Sequence, residues 1–241
     1  MINFAGTINM PIPAIRGSMK RFPKNLYLSD PHLPFTRMDF WEIAHDFNKK
    51  FKADVVYSSG DFLDQYALSR FPKKVNSDNG AKEIMKCIPQ VKRIKALFPN
   101  MVIMKGNHDD RINKRAQDCG ISDLWIKDSL DMIGAPTGWK WADESYIKTG
   151  PALLTHGFLA NREKHALWFN ENVVHGHLHA KLGIEYFQRD KKAIWVMCVG
   201  AMADKKSIAL QYGPMGKYST MTSGFGYTDE EGRPHIHYLG T

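Results

Sequence analysis

The chain has 241 residues, of which 43% are hydrophobic, and it carries a formal net charge of +8. This apolar content is enough to fill a core and excludes a disordered chain, whereas the apolar runs are too short to cross a membrane. Three widely spaced cysteines exclude a disulfide scaffold and a thiolate zinc site, so we expect a reducing compartment and, by default, the cytoplasm.

The positive charge is concentrated in the first half of the chain. Residues 1–120 hold 20 Lys and Arg against 12 Asp and Glu, whereas residues 121–241 hold 13 of each. Most of the excess lies in the segments 16–24 and 70–95. A one-sided basic surface indicates an anionic partner such as nucleic acid, although a solvated helix face would explain the same charge.

The length suits one domain over residues 1–241, because the sequence shows no internal repeat and no linker. Residues 1–24 are expected to form a basic extension ahead of the first strand. This extension lacks the charged-then-apolar order of a signal peptide.

Five short apolar runs predict buried strands of a sheet, and polar residues follow each of them. In chain order the runs are 26–28, 55–57, 101–104, 152–154 and 173–174. Apolar residues at three- and four-residue spacing predict helices between the first three strands, over 38–51 and 80–98, and Pro89 should kink or split the second helix. This alternation is typical of an α/β fold with crossover connections.

The last part of the chain has a different pattern. Residues 181–198 and 219–239 alternate apolar with polar side chains, with glycine-containing turns between them. We therefore expect antiparallel or mixed strands there, which complete a second sheet. Trp139 and Trp141 alternate on a predicted edge strand, where we expect them to pack, with base stacking as the alternative.

Side chains that bind divalent metal ions follow the predicted strands. They are Asp30, His32, Asp61, Asn107, His156, His177 and His179. Because sites in α/β sheets form beyond the carboxyl ends of the strands, we expect these side chains to converge on one cleft. Nitrogen and oxygen ligands without a thiolate suit Mn, Fe, Zn, Co or Ni. Seven ligands are right for two ions if one carboxylate bridges them, and such a pair favours hydrolysis of phosphate esters.

Five sequence blocks resemble, in order, those of the calcineurin-like metallophosphoesterases. The blocks are Asp30-x-His32, Gly60-Asp61-x-x-Asp64, Gly106-Asn107-His108-Asp109, the single His156 and Gly176-His177-x-His179. One block alone is weak evidence, but the ordered set should arise by chance in fewer than about one chain in 10⁵. The resemblance implies a four-layer αββα sandwich, in which two mixed β-sheets are flanked by helices and the metal site lies at the C-terminal ends of the strands.

The resemblance also implies two sets of metal ligands joined by the bridging carboxylate of Asp61. One set is Asp30, His32 and His179, and the other is Asn107, His156 and His177. Two divalent cations are therefore expected as cofactors, with manganese first and iron, zinc, cobalt or nickel as alternatives.

Further roles are implied for residues beside the ligands. His108 resembles the family's catalytic histidine, which protonates the leaving oxygen or steadies the phosphate, and Asp64 resembles the carboxylate that orients it. This pairing is chemically reasonable, because a nearby carboxylate keeps an imidazolium protonated at neutral pH. Asp109 is expected to hydrogen-bond a ligand. Arg111 and Arg162 are candidates for binding the substrate phosphate.

The expected reaction is hydrolysis of a phosphodiester by attack of a metal-bridging hydroxide on phosphorus, with nucleic acid or a nucleotide as substrate and no membrane partner. Gln65 follows Asp64 where serine/threonine phosphatases of the family carry arginine, and this disfavours that branch. The blocks look more like those of phosphodiesterases and SbcD-type exonuclease cores. Residues 156–179 also resemble small phage-encoded metallophosphoesterases, which would act in the host cytoplasm. The alternatives are a broad-specificity phosphomonoesterase and a metal-dependent nucleic-acid-binding module without turnover.

Overall fold

The computed structural model describes residues 21–142, 144–189, 192–210 and 221–240. Within these residues the strands are β1 (Asn25–Leu28), β2 (Val55–Ser58), β3 (Met101–Ile103), β4 (Trp139–Trp141), β5 (Tyr146–Lys148), β6 (Leu153–Thr155), β7 (Val173–His175), β8 (Gly183–Arg189), β9 (Lys192–Cys198), β10 (Ser223–Thr228) and β11 (Pro234–Leu239). The helices are α1 (Met38–Phe51), α2 (Gly80–Leu97), α3 (Arg111–Asp118), α4 (Ser129–Met132) and α5 (Arg162–Phe169).

The strands form two mixed sheets. The first has the order β11-β10-β1-β2-β3-β4, in which β1 to β4 run parallel and β10 and β11 are antiparallel additions. The second has the order β5-β6-β7-β9-β8, with β6, β7 and β9 parallel. Both sheets therefore have a parallel centre, and the carboxyl ends of parallel strands meet at one edge.

Alternate residues of the central strands face different layers, as the two-residue period of a strand requires. In β1, Leu26 and Leu28 pack in the core beneath α1 and α2, whereas Tyr27 between them lies in the core between the two sheets. In β9, Trp195 faces the core between the sheets and Val196 packs against α5. The layers are therefore helix, sheet, sheet and helix, which confirms the expected αββα sandwich.

Helix α1 has the bounds that its apolar spacing predicts. Helix α2 begins after Asn79, whose side chain accepts a hydrogen bond from the Lys82 amide at 3.0 Å and so caps the first turn. The helix continues from Gly80 to Leu97 through Pro89, so of the two expected outcomes the split is wrong, and the kink stays a prediction. Its apolar face, which includes Cys87, Val91 and Ile94, is buried in the core, and this burial holds the two halves in one helix.

One expectation about the second sheet is also wrong. Strands β8 and β9 complete that sheet, but β10 and β11 extend the first one, because β10 pairs antiparallel with β1. Phe225 of β10 is fully buried and contacts Phe47 of α1, with 5.2 Å between the ring centroids. Alternation of apolar residues predicts a half-buried strand, whereas this contact with the helix layer decides which sheet the strand joins.

Most of the expected basic extension, residues 1–20, lies outside the described residues. Its last part is tied to the sheet: Arg21 pairs with Glu230 at 2.8 Å, and the Lys24 amide donates to Asp54 at 2.8 Å. None of the helices in the described ranges has the length and apolar content needed to cross a membrane.

Candidate metal centre

The side chains that the sequence singles out as ligands come together where the parallel strands end. Asp30 follows β1, Asp61 follows β2 and Asn107 follows β3, whereas His156 follows β6 and His177 follows β7. Hydrogen bonds across the sheets fix this meeting point. The His177 amide donates to Asp30 Oδ2 at 2.8 Å, and His156 Nδ1 lies 3.0 Å from the carbonyl oxygen of Ser59.

The first group of side chains that could hold a metal ion has four members. They are Asp30, His32, Asp61 and His179, whose ligand atoms all lie within 4.8 Å of one another. Nε2 of His32 is 3.2 Å from Nε2 of His179 and 3.8 Å from Oδ2 of Asp61. The imidazole nitrogens face each other and a carboxylate. All of these side chains are buried, so bulk water has little access to them.

The second group shares Asp61 with the first. Ligand atoms of Asp61, His156 and His177 again lie within 4.8 Å of one another. His156 Nε2 is 3.4 Å from Asp61 Oδ2 and 3.2 Å from the amide oxygen of Asn107, which adds an oxygen donor to this group. The structure therefore brings the seven residues together in two groups that share Asp61, and the assignment of each residue as a ligand stays a prediction.

Burial and neighbouring charges together set the pKa values of the side chains in the cluster. Burial alone would raise the pKa of Asp61, but His108 and His156 outweigh it and hold the pKa well below its ordinary value. Burial likewise opposes protonation of His156, yet the nearby Asp61 raises its pKa to about 10. Burial and the neighbouring His32 lower the pKa of His179. Asp61 is therefore ionised and His179 neutral, which are the forms that bind metals, whereas His156 would release a proton when a metal binds.

The backbone around the cluster adopts unusual conformations. Asp30, His32, Asp61 and His177 have φ angles of 44°, 50°, 46° and 65°. Residues other than glycine rarely adopt this left-handed region, and such strain concentrates at functional sites. Each of these residues lies in a turn just past a strand, and its left-handed backbone conformation directs the side chain towards the cluster.

Two glycines permit the close approach of these turns. A Cβ atom on Gly106 would lie 2.1 Å from Asp61 Oδ1, and one on Gly176 would lie 2.1 Å from Ser29 Oγ and 2.6 Å from Asp30 Oδ2. Neither position has room for a larger side chain. The glycines of the Gly-Asn-His and Gly-His-x-His blocks are therefore required by packing against the ligand carboxylates.

Asp64 contacts both a ligand and the predicted catalytic histidine. Its Oδ2 atom is 2.9 Å from His32 Nδ1 and 3.4 Å from His108 Nδ1. Burial would raise the pKa of Asp64, but hydrogen bonds from His108 and His32 lower it well below its ordinary value. The carboxylate thus turns Nε2 of His32 towards the metal cluster, which is the common arrangement of a carboxylate behind a ligating histidine.

Arg111, a predicted phosphate ligand, lies beside the same pair. Its guanidinium donates to Asp64 Oδ1 at 3.2 Å and to His108 Nε2 at 3.0 Å. Arg162, the other predicted phosphate ligand, is instead bound to Glu185 at 2.9 Å and to the carbonyl oxygen of Lys181 at 2.6 Å. The structure therefore brings Arg111 to the cluster and gives no support to Arg162, whose phosphate contact stays a prediction.

Asp109 does not bind a ligand side chain among the described contacts, contrary to expectation. It accepts hydrogen bonds from the backbone amides of Phe62, Leu63 and Gly106 at 3.1, 2.8 and 2.9 Å. Burial and the nearby Asp61 raise the pKa of Asp109 to about 7. A carboxylate has enough lone pairs for three donors, so Asp109 fastens the loop after β2 to the loop after β3.

The fit of the cluster to metal ions can be judged from its polar atoms. Asp30 Oδ1 is buried and has no hydrogen-bond partner among the described residues, although His156 Nδ1 and His179 Nε2 lie 3.7 and 4.0 Å away. A buried anionic oxygen without a donor is costly unless a cation binds it. Imidazole, carboxylate and amide donors without thiolate suit first-row divalent ions, so these residues fit a dinuclear site.

Sequence patterns did not identify the two serines that support Asp30. Ser29 Oγ donates to Asp30 Oδ2 at 2.8 Å, and Ser59 Oγ in turn contacts Ser29. Each serine directly follows a strand and precedes a ligand block, and this position could have identified it from the sequence. Trp139 and Trp141 pack as expected: Trp139 is buried and donates to the Phe98 carbonyl at 2.7 Å, and Trp141 donates to Asp128 at 3.1 Å.

The sequence profile of the calcineurin-like phosphoesterases matches residues 24–221, which is most of the chain. The chain therefore belongs to the calcineurin-like phosphoesterase family, as the sequence blocks indicated, and is a metal-dependent phosphoester hydrolase. Family membership and the clustered histidines and aspartates together indicate a dinuclear divalent metal site. No curated protein matches the chain at a significant level.

Solved structures similar to this chain include three of low sequence identity. The phosphoesterase YfcE from E. coli has 16% identity and a TM-score of 0.38, covering 86% of this chain and 88% of its own. Vacuolar protein sorting 29 from Cryptosporidium parvum has 15% identity and a TM-score of 0.42, with coverage of 91% and 97%. The nuclease MPE from Pseudomonas putida has 17% identity and a TM-score of 0.37, with coverage of 88% and 87%.

A substitution at Asp30 tests the cluster as a metal site. We expect Asp30→Asn to abolish most of the rise in Tm that Mn²⁺ produces, while the metal-free protein stays at least as stable. The asparagine oxygen still accepts hydrogen bonds from Ser29 and the His177 amide. The substitution also removes the buried carboxylate charge of Asp30, whose pKa is raised to about 6 by burial. A metal at 100 times its Kd stabilises a protein by about 2.7 kcal/mol.

The measurement is thermal unfolding of both proteins with Mn²⁺ and with a chelator. Asp46→Asn, on an exposed ion pair with Lys49, is the control and should keep the metal response. A wild-type Tm that no divalent ion changes would contradict the metal site.

Proposed function

We propose that the protein is a phosphodiesterase that acts on nucleic acid or nucleotides, with Mn²⁺ as the first choice of metal. The observation that carries this proposal is a pair of separate recesses that share Asn107 in their linings. One has a volume of about 190 Å³ and the other about 690 Å³, and both are lined by Asn107 and Lys114. A phosphodiester has a substituent on each side of phosphorus, so it fills two recesses, whereas a monoester fills one.

The smaller recess, which we call the basic recess, supports an anionic substituent. Its charged lining residues are Arg70, Arg111, Lys114 and Arg115, and none of the described residues that line it is acidic. The acidic partners of these side chains, Asp64, Asp110 and Asp118, lie outside the lining. A recess of this kind suits the next phosphate of a nucleic acid or a nucleotide, because arginine binds phosphate through paired hydrogen bonds.

The residues of the cluster would perform separate parts of the reaction. When bound, two divalent ions supply a water of lowered pKa and neutralise charge on the phosphoryl oxygens. The imidazole and carboxylate ligands would hold these ions, with Asp30, His32 and His179 on one side of Asp61 and Asn107, His156 and His177 on the other. Five of these side chains are buried, which keeps bulk water from competing for their ligand atoms, whereas His177 is half-buried and Asn107 is exposed.

His108 would deliver the proton that the leaving oxygen needs. Its Nδ1 atom faces Asp64, with 3.4 Å to the carboxylate and 3.2 Å to the carbonyl oxygen, so Nδ1 is held as the donor. The other nitrogen, Nε2, lies 3.9 Å from Asp61 Oδ2 and beside the guanidinium of Arg111. Asp64 therefore fixes the ring with Nε2 towards the substrate. In the structure Nε2 accepts a hydrogen bond from Arg111, so Arg111 would first move to a phosphoryl oxygen, and Nε2 would then take up a proton from solvent and pass it to the leaving oxygen.

The choice of ester is the primary test. We expect the Mn²⁺-loaded protein to cleave bis(p-nitrophenyl) phosphate with a higher kcat/KM than p-nitrophenyl phosphate, because only the diester occupies both recesses. A chelator should abolish both activities. Release of p-nitrophenolate measures the rates. Cleavage of the monoester alone would replace the diesterase with a phosphomonoesterase, and no cleavage with any divalent ion would leave a nucleic-acid-binding module.

Removal of His108 tests its role in proton transfer. We expect His108→Ala to lower kcat about 100-fold or more on a thymidine dinucleotide, because its alkoxide leaving group needs a proton. The loss should be much smaller on bis(p-nitrophenyl) phosphate, whose phenolate leaves unprotonated. Both rates are measured at saturating substrate with Mn²⁺, with Asn113→Ala as a control on α3. Equal loss on the two substrates would assign His108 to binding the phosphate.

The basic recess predicts a dependence on salt. We expect Arg70→Gln combined with Lys114→Gln to weaken cleavage of single-stranded DNA and to flatten its salt dependence, because each phosphate contact contributes about 0.7 to the logarithmic slope. The matched control is Lys92→Gln with Arg93→Gln, since Arg93 pairs with Glu42 of α1 at 2.7 Å. If the control pair changes the slope equally, the charge acts from the whole surface and not from this recess.

A further inference from the structure

The larger recess beside the metal cluster differs in character from the basic recess. Besides Asn107 and His156 it is lined by Phe158, Trp168, Phe169 and Tyr146. We call this set of four rings the aromatic wall. The volume of about 690 Å³ lies within the range of small-molecule sites in proteins. An aromatic surface thus forms part of the same cavity as two of the proposed metal ligands.

The aromatic wall is exposed although it belongs to a packed group of rings. Phe158 and Trp168 meet edge to face with 5.9 Å between centroids, and Tyr146 meets Phe169 at 5.4 Å. Even so, 69% of Trp168 and 57% of Phe158 remain accessible. An exposed group of large apolar side chains inside a cavity marks a binding surface.

The chain holds this wall at a fixed place relative to the cluster. Phe158 is two residues after His156, and Gly157 between them has a φ of 102°, which turns the chain sharply. Trp168 projects from α5, whose first turn is capped by the Asn161 side chain accepting from the Lys164 amide at 2.9 Å. The wall therefore rests on a ligand-bearing turn and a capped helix, both of which also build the cluster or its support.

Charge in this recess indicates a neutral ligand group. The lysines Lys105 and Lys114 are balanced by the acids Asp110 and Glu144, and Lys114 pairs with Asp110 at 3.2 Å. A second phosphate would gain little in such surroundings, whereas the basic recess, which also includes Asn107 in its lining, suits it. A planar uncharged group fits better, because every nucleobase has a π-face that can stack on Trp, Phe or Tyr.

We propose that the aromatic wall is a base-stacking subsite, which binds the nucleobase next to the phosphate being cleaved and makes the enzyme selective for nucleoside esters. This proposal rests on the phosphodiesterase function proposed above and assigns one recess to the base and the other to the phosphate chain. The base could come from a mononucleotide ester or from single-stranded nucleic acid, which present the same ring.

Two esters with the same leaving group test the subsite. They are thymidine 5′-(p-nitrophenyl phosphate) and methyl p-nitrophenyl phosphate, which differ in whether a nucleoside is present. We expect Trp168→Ala with Phe158→Ala to lower kcat/KM about tenfold or more on the thymidine ester, within the usual range of about 5- to 150-fold for one stacked base. The methyl ester should change less than about twofold, because it has no base to stack.

The matched control is Trp125→Ala, because Trp125 is 82% exposed and is not among the residues lining this recess. It should change neither rate. Equal loss on both esters, or no loss on the thymidine ester, would overturn the subsite. Activity of the wild type on the methyl ester would in either case leave the phosphodiesterase function intact.

A binding measurement keeps the inference testable if the proposed function fails. Adenosine 5′-monophosphate and ribose 5-phosphate differ only in the base, and calorimetry with Mn²⁺-loaded His108→Ala protein compares their Kd values. We expect the nucleotide to bind about tenfold more tightly, and adding Trp168→Ala should remove the difference. Equal Kd values for the two ligands before that substitution would overturn the subsite, whatever the enzyme hydrolyses.

The two sources of the base are separated by a third substrate. If the natural ligand is a polymer, single-stranded DNA should be cleaved, and the aromatic substitutions should slow its cleavage as they slow that of the thymidine ester. Cleavage of the thymidine ester alone would assign the subsite to small nucleotides. Cleavage of DNA that is unaffected by the substitutions would overturn stacking of polymer bases.

Discussion

The structure depends on one buried carboxylate. Asp61 is 2% exposed, and its Oδ2 atom lies 3.4 to 3.9 Å from nitrogens of His156, His32 and His108. A buried charge of this kind is tolerated only when opposite charge and hydrogen-bond donors surround it, here the imidazoles and the His108 amide at 2.8 Å. Because these partners come from three different loops, after β1, β3 and β6, the single carboxylate ties both sheets to one point, and a pair of cations is the natural complement of the cluster.

That constraint explains the unusual backbone around the cluster. Four of the proposed ligands have positive φ angles, and Gly106 and Gly176 leave no room for a Cβ atom beside the carboxylates of Asp61 and Asp30. Such strain needs support from elsewhere, and Asp109 provides it by accepting three backbone amides from the loops after β2 and β3. Asp64 provides similar support behind His32. The fold therefore accepts backbone strain in order to hold these side chains in place for chemistry.

The same loops shape the surroundings of the cluster. Asn107 lines both a recess with three arginines and a recess with an aromatic wall, so the two substituents of a bound phosphate would meet different chemistry. Lys114 of α3 lines both recesses, and Arg111 one turn earlier reaches Asp64 and His108. Helix α3 therefore connects the proposed proton-transfer residues to the proposed substrate surface. This asymmetry supports a directional nucleotide substrate, with phosphate chain and base in different recesses.

Local patterns in the sequence determined the central strands, α1 and the set of proposed ligands, because strand and helix periods and the order of the metal-binding blocks are properties of short segments. Tertiary packing decided what those segments could not. Pro89 lies inside an unbroken α2 because the buried face of the helix outweighs the lost hydrogen bond, and β10 joined the first sheet because Phe225 packs on α1. Asp109 contacts backbone amides and Arg162 contacts Glu185, although both are charged residues near ligand blocks. The aromatic wall combines Phe158 of a loop with Trp168 of a helix, so no periodic pattern within one short segment predicts it. Sequence determines which residue types follow each strand, whereas the distances between those strand ends, and hence partners and cavities, arise only when the two sheets stack.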